Sequence, residues 1–384
     1  MQEQGARGDR RCTALLLCVY AALAVLTLTE QWGRTTNDTR LELTERPGDY
    51  LAGTFSLWHP GTSLGELQNQ AYGYLFPQGA FFTAVEWLGV PGWVTQRLWS
   101  FLLVVLACEG VRRLARALGT GPWAAAAAGL AYALAPRMVA EVGLRSAEIL
   151  PAVVLPWAVL PLVLMVEGRR RGRDAALLSV AAFACGGGVN GTATAAPAAL
   201  LAIVIGWAAW RRLVGWRFVA GWLALMAAAN AWWVVSLLRL GASSPPFFDY
   251  VEDARTTTST SGFASSLRGA SNWIDFLQVG GRPWWPAGWQ LSYSPWLVLG
   301  SGLVAALGFV GLLRWRSPWR APLLCAAALG LLCQVAAHTG PLDGPLAGWL
   351  QGLLDGSLAP LRNIPKADPV LRLPLAIGVA VLVD

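Results

Sequence analysis

The chain has 384 residues, of which 55% are hydrophobic and only 13% charged, and its formal net charge at pH 7 is +7. An average soluble domain carries about 25% charged residues, so this charge is too sparse to cover a soluble surface, and the long apolar blocks exclude a disordered, collagenous or coiled-coil chain. The composition is that of an integral membrane protein, in which about 20 apolar residues of helix, rising about 1.5 Å each, cross a hydrocarbon core of about 30 Å.

Roughly ten such blocks follow one another, near 13–31, 94–111, 122–136, 150–166, 175–190, 194–210, 218–238, 295–313, 321–338 and 370–384. The first follows Arg7, Arg10 and Arg11 like a signal peptide, but no small-residue cleavage site comes after it, so it is expected to stay as a first span. The last is short for a crossing. Gly186-Gly187-Gly188 lacks the Lys and Ser/Thr of a phosphate loop and is expected to form a close helix contact or a tight hairpin.

Basic residues set the orientation, since Arg and Lys in short loops stay cytoplasmic. With the N-terminus inside, 16 of the 29 basic residues fall in short inner segments, around Arg7–Arg11, Arg112–Arg116, Arg169–Arg173, Arg211–Arg217 and Arg314–Arg320. That pattern accounts for the positive charge through anionic lipid head groups, with no nucleic acid involved. The six cysteines lie in or beside apolar blocks without a CxxC pair, and His59 and His338 are far apart, so no disulfide framework or zinc site is indicated.

Three outer segments are long, about 32–93, 239–294 and 339–369, and loops of that length carry sites or structure of their own. In the first, 64–82 and 81–94 are expected as helices lying at the interface, with Trp58, Trp87, Trp93 and Trp99 in an aromatic belt. Asp38, just beyond the first span, could take a proton from a sugar hydroxyl at the membrane surface; it could equally N-cap a helix starting near Thr39 or solvate the loop. Glu252 follows an aromatic run, where a carboxylate can accept sugar hydroxyls, although the nearby Trp residues also suit interface anchoring. Arg362 and Lys366, four apart, would share a helical face and with Arg372 could neutralise a phosphate, or any phospholipid head group.

Longer segments then match a known pattern. Asn37-Asp38-Thr39-Arg40-Leu41, Gln68-Asn69-Gln70-Ala71-Tyr72-Gly73-Tyr74-Leu75-Phe76-Pro77 and Val90-Pro91-Gly92-Trp93-Val94-Thr95-Gln96-Arg97-Leu98-Trp99 resemble the N-terminal membrane region of the AftD family of mycobacterial-type α-(1→3)-arabinofuranosyltransferases. Tyr250-Val251-Glu252, Ser271-Asn272-Trp273, and Pro360-Leu361-Arg362-Asn363-Ile364-Pro365-Lys366 continue the match in order. The resemblance covers nearly the whole chain. It implies an all-α, polytopic GT-C glycosyltransferase fold, with 1–384 as its N-terminal transmembrane region, and an inverting pentosyltransferase active on the extracytoplasmic side of the plasma membrane. The implied donor is decaprenyl-phosphate arabinofuranose and the implied acceptor an arabinan of arabinogalactan or lipoarabinomannan. On that pattern Asp38 is the base, Glu252 orients the acceptor or assists, and Arg362 and Lys366 hold the donor phosphate. Arg40, Asn69, Gln70 and Tyr72 fall among the substrate contacts. No cofactor is assigned, and a divalent metal stays open. Family members are much longer, so the chain is expected to be a fragment or a shortened form lacking part of the active-site wall. The rivals are a polyprenyl-phosphate-dependent mannosyltransferase, a lipid-linked glycan transporter, disfavoured because few charges besides Glu109 lie within spans, and an inactive fragment.

Overall fold

A computed structural model describes residues 2–36, 38, 40–60, 64–67, 71–244, 252–340 and 343–384. Helix α1 (Gln2–Thr29) enters the first long loop, which holds α2 (Glu42–Glu45), α3 (Pro47–Gly53), the two-residue antiparallel strands β1 (Trp58–His59) and β2 (Glu66–Leu67), a 3-10 turn (Ala71–Tyr74) and α4 (Ala80–Glu86). Then come α5 (Gly92–Ala117), α6 (Pro122–Ala133), α7 (Pro136–Val142), α8 (Ser146–Val166), α9 (Gly172–Ala184), α10 (Gly191–Trp210) and α11 (Trp216–Ser243). The second long loop carries α12 (Ala254–Ser259), α13 (Phe263–Arg268), a 3-10 turn (Trp273–Phe276), the strand pair β3 (Gln278–Val279) and β4 (Arg282–Pro283), and α14 (Pro286–Tyr293). Finally α15 (Pro295–Arg314), α16 (Arg320–Val335), α17 (Ala347–Asp355), two 3-10 turns (Ala359–Leu361, Ile364–Ala367) and α18 (Asp368–Val383) complete the chain.

Each expected apolar block is helical over most of its length. Among the described residues, five stretches are long and apolar enough to cross a membrane: Gly8–Thr29, Ser146–Val166, Gly191–Trp210, Trp216–Ser243 and Pro295–Arg314. The helices α6, α9, α16 and α18 have 12, 13, 16 and 16 residues; at about 1.5 Å per residue the shortest reaches only about 18 Å. In the first loop the described residues of the expected helix over 64–82 form instead β2, the 3-10 turn and a wide turn (Leu75–Gly79) in which Phe76 is extended, and only the last three belong to a helix, α4. Gly73 in the 3-10 turn lies against the α9–α10 connection, where a Cβ would fall 2.3 Å from the amide nitrogen of Val189. Of the second expected helix only α4 forms, ending before Gly89 at φ +71°. Trp99 is buried against Phe81 and Phe82 rather than belonging to a belt.

The core centres on α18, which packs most heavily on α15, then on α6 and α16. Small residues allow the α15–α18 approach: a Cβ on Gly308 would sit 2.4 Å from the Leu375 carbonyl oxygen, and one on Gly311 would lie 1.9 Å from that of Gly378. Helix α8 is mostly buried despite Pro151, Pro156 and Pro161. Proline has no N–H for the carbonyl four residues back, and the carbonyl that Pro156 frees, that of Ala152, accepts a hydrogen bond from the Tyr132 hydroxyl at 2.8 Å. The basic turns meet at one end of the bundle. There Arg169 donates to the Ala117 carbonyl at 3.3 Å, Trp319 Nε1 to Glu167 at 2.7 Å, and the Trp207 and Trp319 rings lie 4.8 Å apart. The far end of α8, about 31 Å away for 21 residues, carries the candidate site.

Candidate active site

Asp38 is held by side chains that its own segment does not supply. The loop before it is clamped to α5: the Gln96 side chain accepts from the Thr36 amide at 2.8 Å and donates to the Thr36 carbonyl at 3.0 Å, while Arg97 donates to the carbonyls of Thr27, Gln31 and Arg34 at 3.0–3.2 Å. So fixed, the Asp38 carboxylate reaches the start of α8, where Oδ1 accepts from the Ser146 amide at 3.2 Å and Oδ2 from the Ser146 hydroxyl. The carboxylate thus caps a helix, though one that starts 108 residues away rather than near Thr39. Its side chain is only 8% exposed. A negative charge at a helix N-terminus is also stabilised by the helix dipole.

Beside it lies a buried cluster of charges. Arg145, the residue before α8, makes two bonds to Glu141 on α7, Nε to Oε2 at 2.8 Å and Nη2 to Oε1 at 2.5 Å, and Asn272 donates to Glu141 Oε1 at 2.5 Å. Arg137, one turn earlier, is 3.9 Å from the same carboxylate. Glu148, in the first turn of α8, faces Lys366 at 3.8 Å and accepts from Asn190 at 3.3 Å. Asn190 also caps α10 by accepting from the Ala193 amide, and the triple glycine before it permits this placement. Gly187 has φ +69°, and a Cβ on Gly188 would strike the Trp233 side chain at 2.3 Å, so the expected close packing is present. Burial pushes the Lys366 amine below its ordinary range; Glu148 opposes that shift, and Arg137 and Arg145 add to it. Asp275, packed on Gly288, is pushed up to about 7 by burial and by Glu141, against the pull of Arg137 and Arg145. Among the described residues no group of three or more His, Cys, Asp or Glu side chains is placed to hold a metal ion.

This frame matches a known family along nearly its whole length. The model of the α-(1→3)-arabinofuranosyltransferase N-terminal GT-C domain matches residues 22–384. The chain belongs to that family. It is 43% identical to the α-(1→3)-arabinofuranosyltransferase of Mycolicibacterium smegmatis over 94% of its length, and 40% identical to that of Mycobacterium tuberculosis over 95%. It spans about a quarter of those relatives, 25% and 26% of their lengths. A cryo-EM structure of the mycobacterial arabinofuranosyltransferase AftD is similar with a TM-score of 0.72 and 33% identity, covering 96% of this chain and 24% of that one.

Within this GT-C frame the residues singled out from sequence do not all share one place. Asn69 and Gln70 lie outside the described residues. Tyr72 is buried among Trp233 and Leu240 rather than at a pocket edge; its hydroxyl has no hydrogen-bond partner among the described residues, and burial pushes it up to about 12. Arg40 is half-buried on the Asp38 loop. Arg362 and Lys366 do not share a helical face, because two 3-10 turns replace the expected helix. Arg362 pairs with Asp355 at 3.2 Å while Lys366 turns to Glu148. Arg372 pairs with Asp368 at 2.7 Å and donates to the Leu267 and Ser266 carbonyls. Glu252 is half-buried, and its charge acts on Lys366. Arg137, Glu141, Arg145, Glu148, Asn190, Ser146 and Gln78 were not singled out. The signal for four of them was visible as Arg137, Glu141, Arg145 and Glu148, opposite charges mostly at helical spacing in an otherwise apolar stretch.

Proposed function

We propose that this chain is the membrane region of an inverting glycosyltransferase that moves arabinofuranose from a polyprenyl-phosphate donor to an arabinan acceptor, forming an α-(1→3) branch. The observation that carries the proposal is the family match over residues 22–384, joined to a buried, oriented Asp38 in the first long loop. The donor already bears a phosphate leaving group. The protein therefore has to align an acceptor hydroxyl, remove its proton and stabilise the departing charge. In this reading the anomeric carbon–phosphate oxygen bond breaks as the bond to the acceptor oxygen forms. Asp38 takes the hydroxyl proton, and Glu252 orients the acceptor. Lys366, with Arg137 and Arg145 near it, faces the lipid phosphate, and Arg362, which also pairs with Asp355, shares in holding it. The same reading has all ten helical blocks in the membrane, the basic turns in the cytoplasm and the three long loops outside.

The test is transfer from labelled decaprenyl-phosphate arabinose or mannose to defined arabinan acceptors, with Asp38→Asn alongside. Loss of a general base costs about 10²–10⁴-fold in rate, so arabinose transfer is expected to fall at least 100-fold in a variant with unchanged expression. Normal transfer by Asp38→Asn removes that residue from the role of base. A preference for the mannose donor makes the chain a mannosyltransferase, and transfer from neither donor makes it non-catalytic.

A further inference from the structure

Ser146 is fully buried, yet both of its hydrogen-bond donors, the amide and the hydroxyl, are directed at the two oxygens of one carboxylate, Asp38. A serine hydroxyl carries a single proton and can also accept. Here the accepting side is taken by the Gln78 side-chain amide, which donates to Ser146 Oγ at 3.0 Å. The hydroxyl proton is therefore committed to Asp38. Gln78 itself is 3% exposed and comes from the wide turn before α4, so three segments of the chain converge on one point.

We infer that Ser146, backed by Gln78, is a positioning residue for Asp38 that keeps the carboxylate ionised and fixes the direction in which it faces the acceptor. This rests on the proposal that Asp38 is the base. A base must be deprotonated and aimed before the acceptor hydroxyl arrives, and a carboxylate resting on the first N–H of a helix meets both needs. Each carboxylate oxygen accepts more than one hydrogen bond, so the contact with Ser146 orients Asp38 without exhausting its capacity to take a proton. Among the charged residues near it in the chain or beside Ser146, Arg40 lies on the Asp38 loop, Arg145 directly precedes Ser146 and pairs with Glu141, and Glu148 follows in the first turn of α8. On the α5 side the neutral Gln96 holds the Thr36 backbone, and Arg97 donates to the carbonyls of Thr27, Gln31 and Arg34.

The experiment compares wild type, Ser146→Ala, Ser146→Thr and Gln78→Met in the sugar-transfer assay across pH. In parallel, an infrared titration follows the Asp38 carboxyl band, assigned by its absence in Asp38→Asn. For Ser146→Ala the turnover number should fall at least tenfold with the KM of donor and acceptor within twofold. Both the acid limb of the rate profile and the infrared midpoint should move to higher pH. Ser146→Thr, which keeps a hydroxyl, should restore most of the rate. Gln78→Met should shift both in the same direction by less, and add nothing to Ser146→Ala. An unchanged rate and midpoint in Ser146→Ala overturns the inference. So does a lost rate with an unmoved midpoint and no rescue by threonine, since that result makes Ser146 only part of the α8 packing. Failure of the parent proposal looks different: Asp38→Asn then transfers sugar normally, whatever the midpoint does.

Discussion

Asp275 shows how burial converts a carboxylate into a pH-dependent element of stability. It is 3% exposed, and a Cβ on Gly288 would fall 2.1 Å from its Oδ1, so no room is left there for hydration. With its pKa raised to about 7 against about 3.9 in an unfolded chain, the folded state holds a proton that the unfolded state releases. Stability should therefore be greatest below about pH 4, fall as pH rises to about 7 and level off above, with an upper bound of about 4 kcal/mol. Asp275→Asn should flatten that slope and raise the melting temperature at pH 8, as measured by thermal unfolding in detergent; an unaltered slope refutes the assignment. At this scale the sequence was informative about residue types and less so about company. Asp38 stood out because few acids are available in such an apolar chain, whereas Ser146 and Gln78 are common residues with no local signature. The spacing of Arg362 and Lys366 fits one helical face and predicts a shared phosphate clamp, but with Pro360 and Pro365 the segment forms 3-10 turns and the two residues have different partners.

Helical elements were legible because membrane helices are written as long apolar runs, and each expected block is helical. What decides how two of them meet is close approach. Gly308 and Gly311 on α15 and Gly378 on α18 leave no space for a side chain at their crossing. Gly311→Val should cost about 3 kcal/mol by overpacking, while Gly302→Ala on the same helix, where a Cβ meets nothing within 4 Å, should be neutral or slightly stabilising. Equal melting temperatures for the two variants contradict this account of the crossing. The segments of the first long loop were less legible. Short amphipathic stretches with several glycines and a proline have no strong periodicity, so 64–82 reads as a helix from composition, while its described residues form a strand, a 3-10 turn, a wide turn and only the first residues of α4.

Across the whole molecule the two ends differ. The turns around Arg112–Arg116, Arg169–Arg173 and Arg314–Arg320 gather at one end through contacts such as Arg169 with Ala117 and Trp319 with Glu167, and Asp38, Glu141, Glu148 and Lys366 gather at the other. In a cysteine-free background, Ser357→Cys in the third long loop should react with an impermeant maleimide added to intact cells, and Arg171→Cys should react only after lysis. The reverse pattern inverts the topology. Taken alone, the sequence determined the class of protein, the helical blocks and the charge asymmetry between their ends, because each of these is a local property of composition along the chain. It also carried the family resemblance, with Asp38 inside the matching segment. Only the tertiary structure decided that Asp38 rests on a helix beginning at Ser146, that Gln78 stands behind that serine, and that Lys366 answers Glu148. The reason is physical: a buried charge needs partners around it in three dimensions, and several of these are far away along the chain, as with Gln78 and Ser146, 68 residues apart, Asp38 and Ser146, 108 apart, and Glu141 and Asn272, 131 apart.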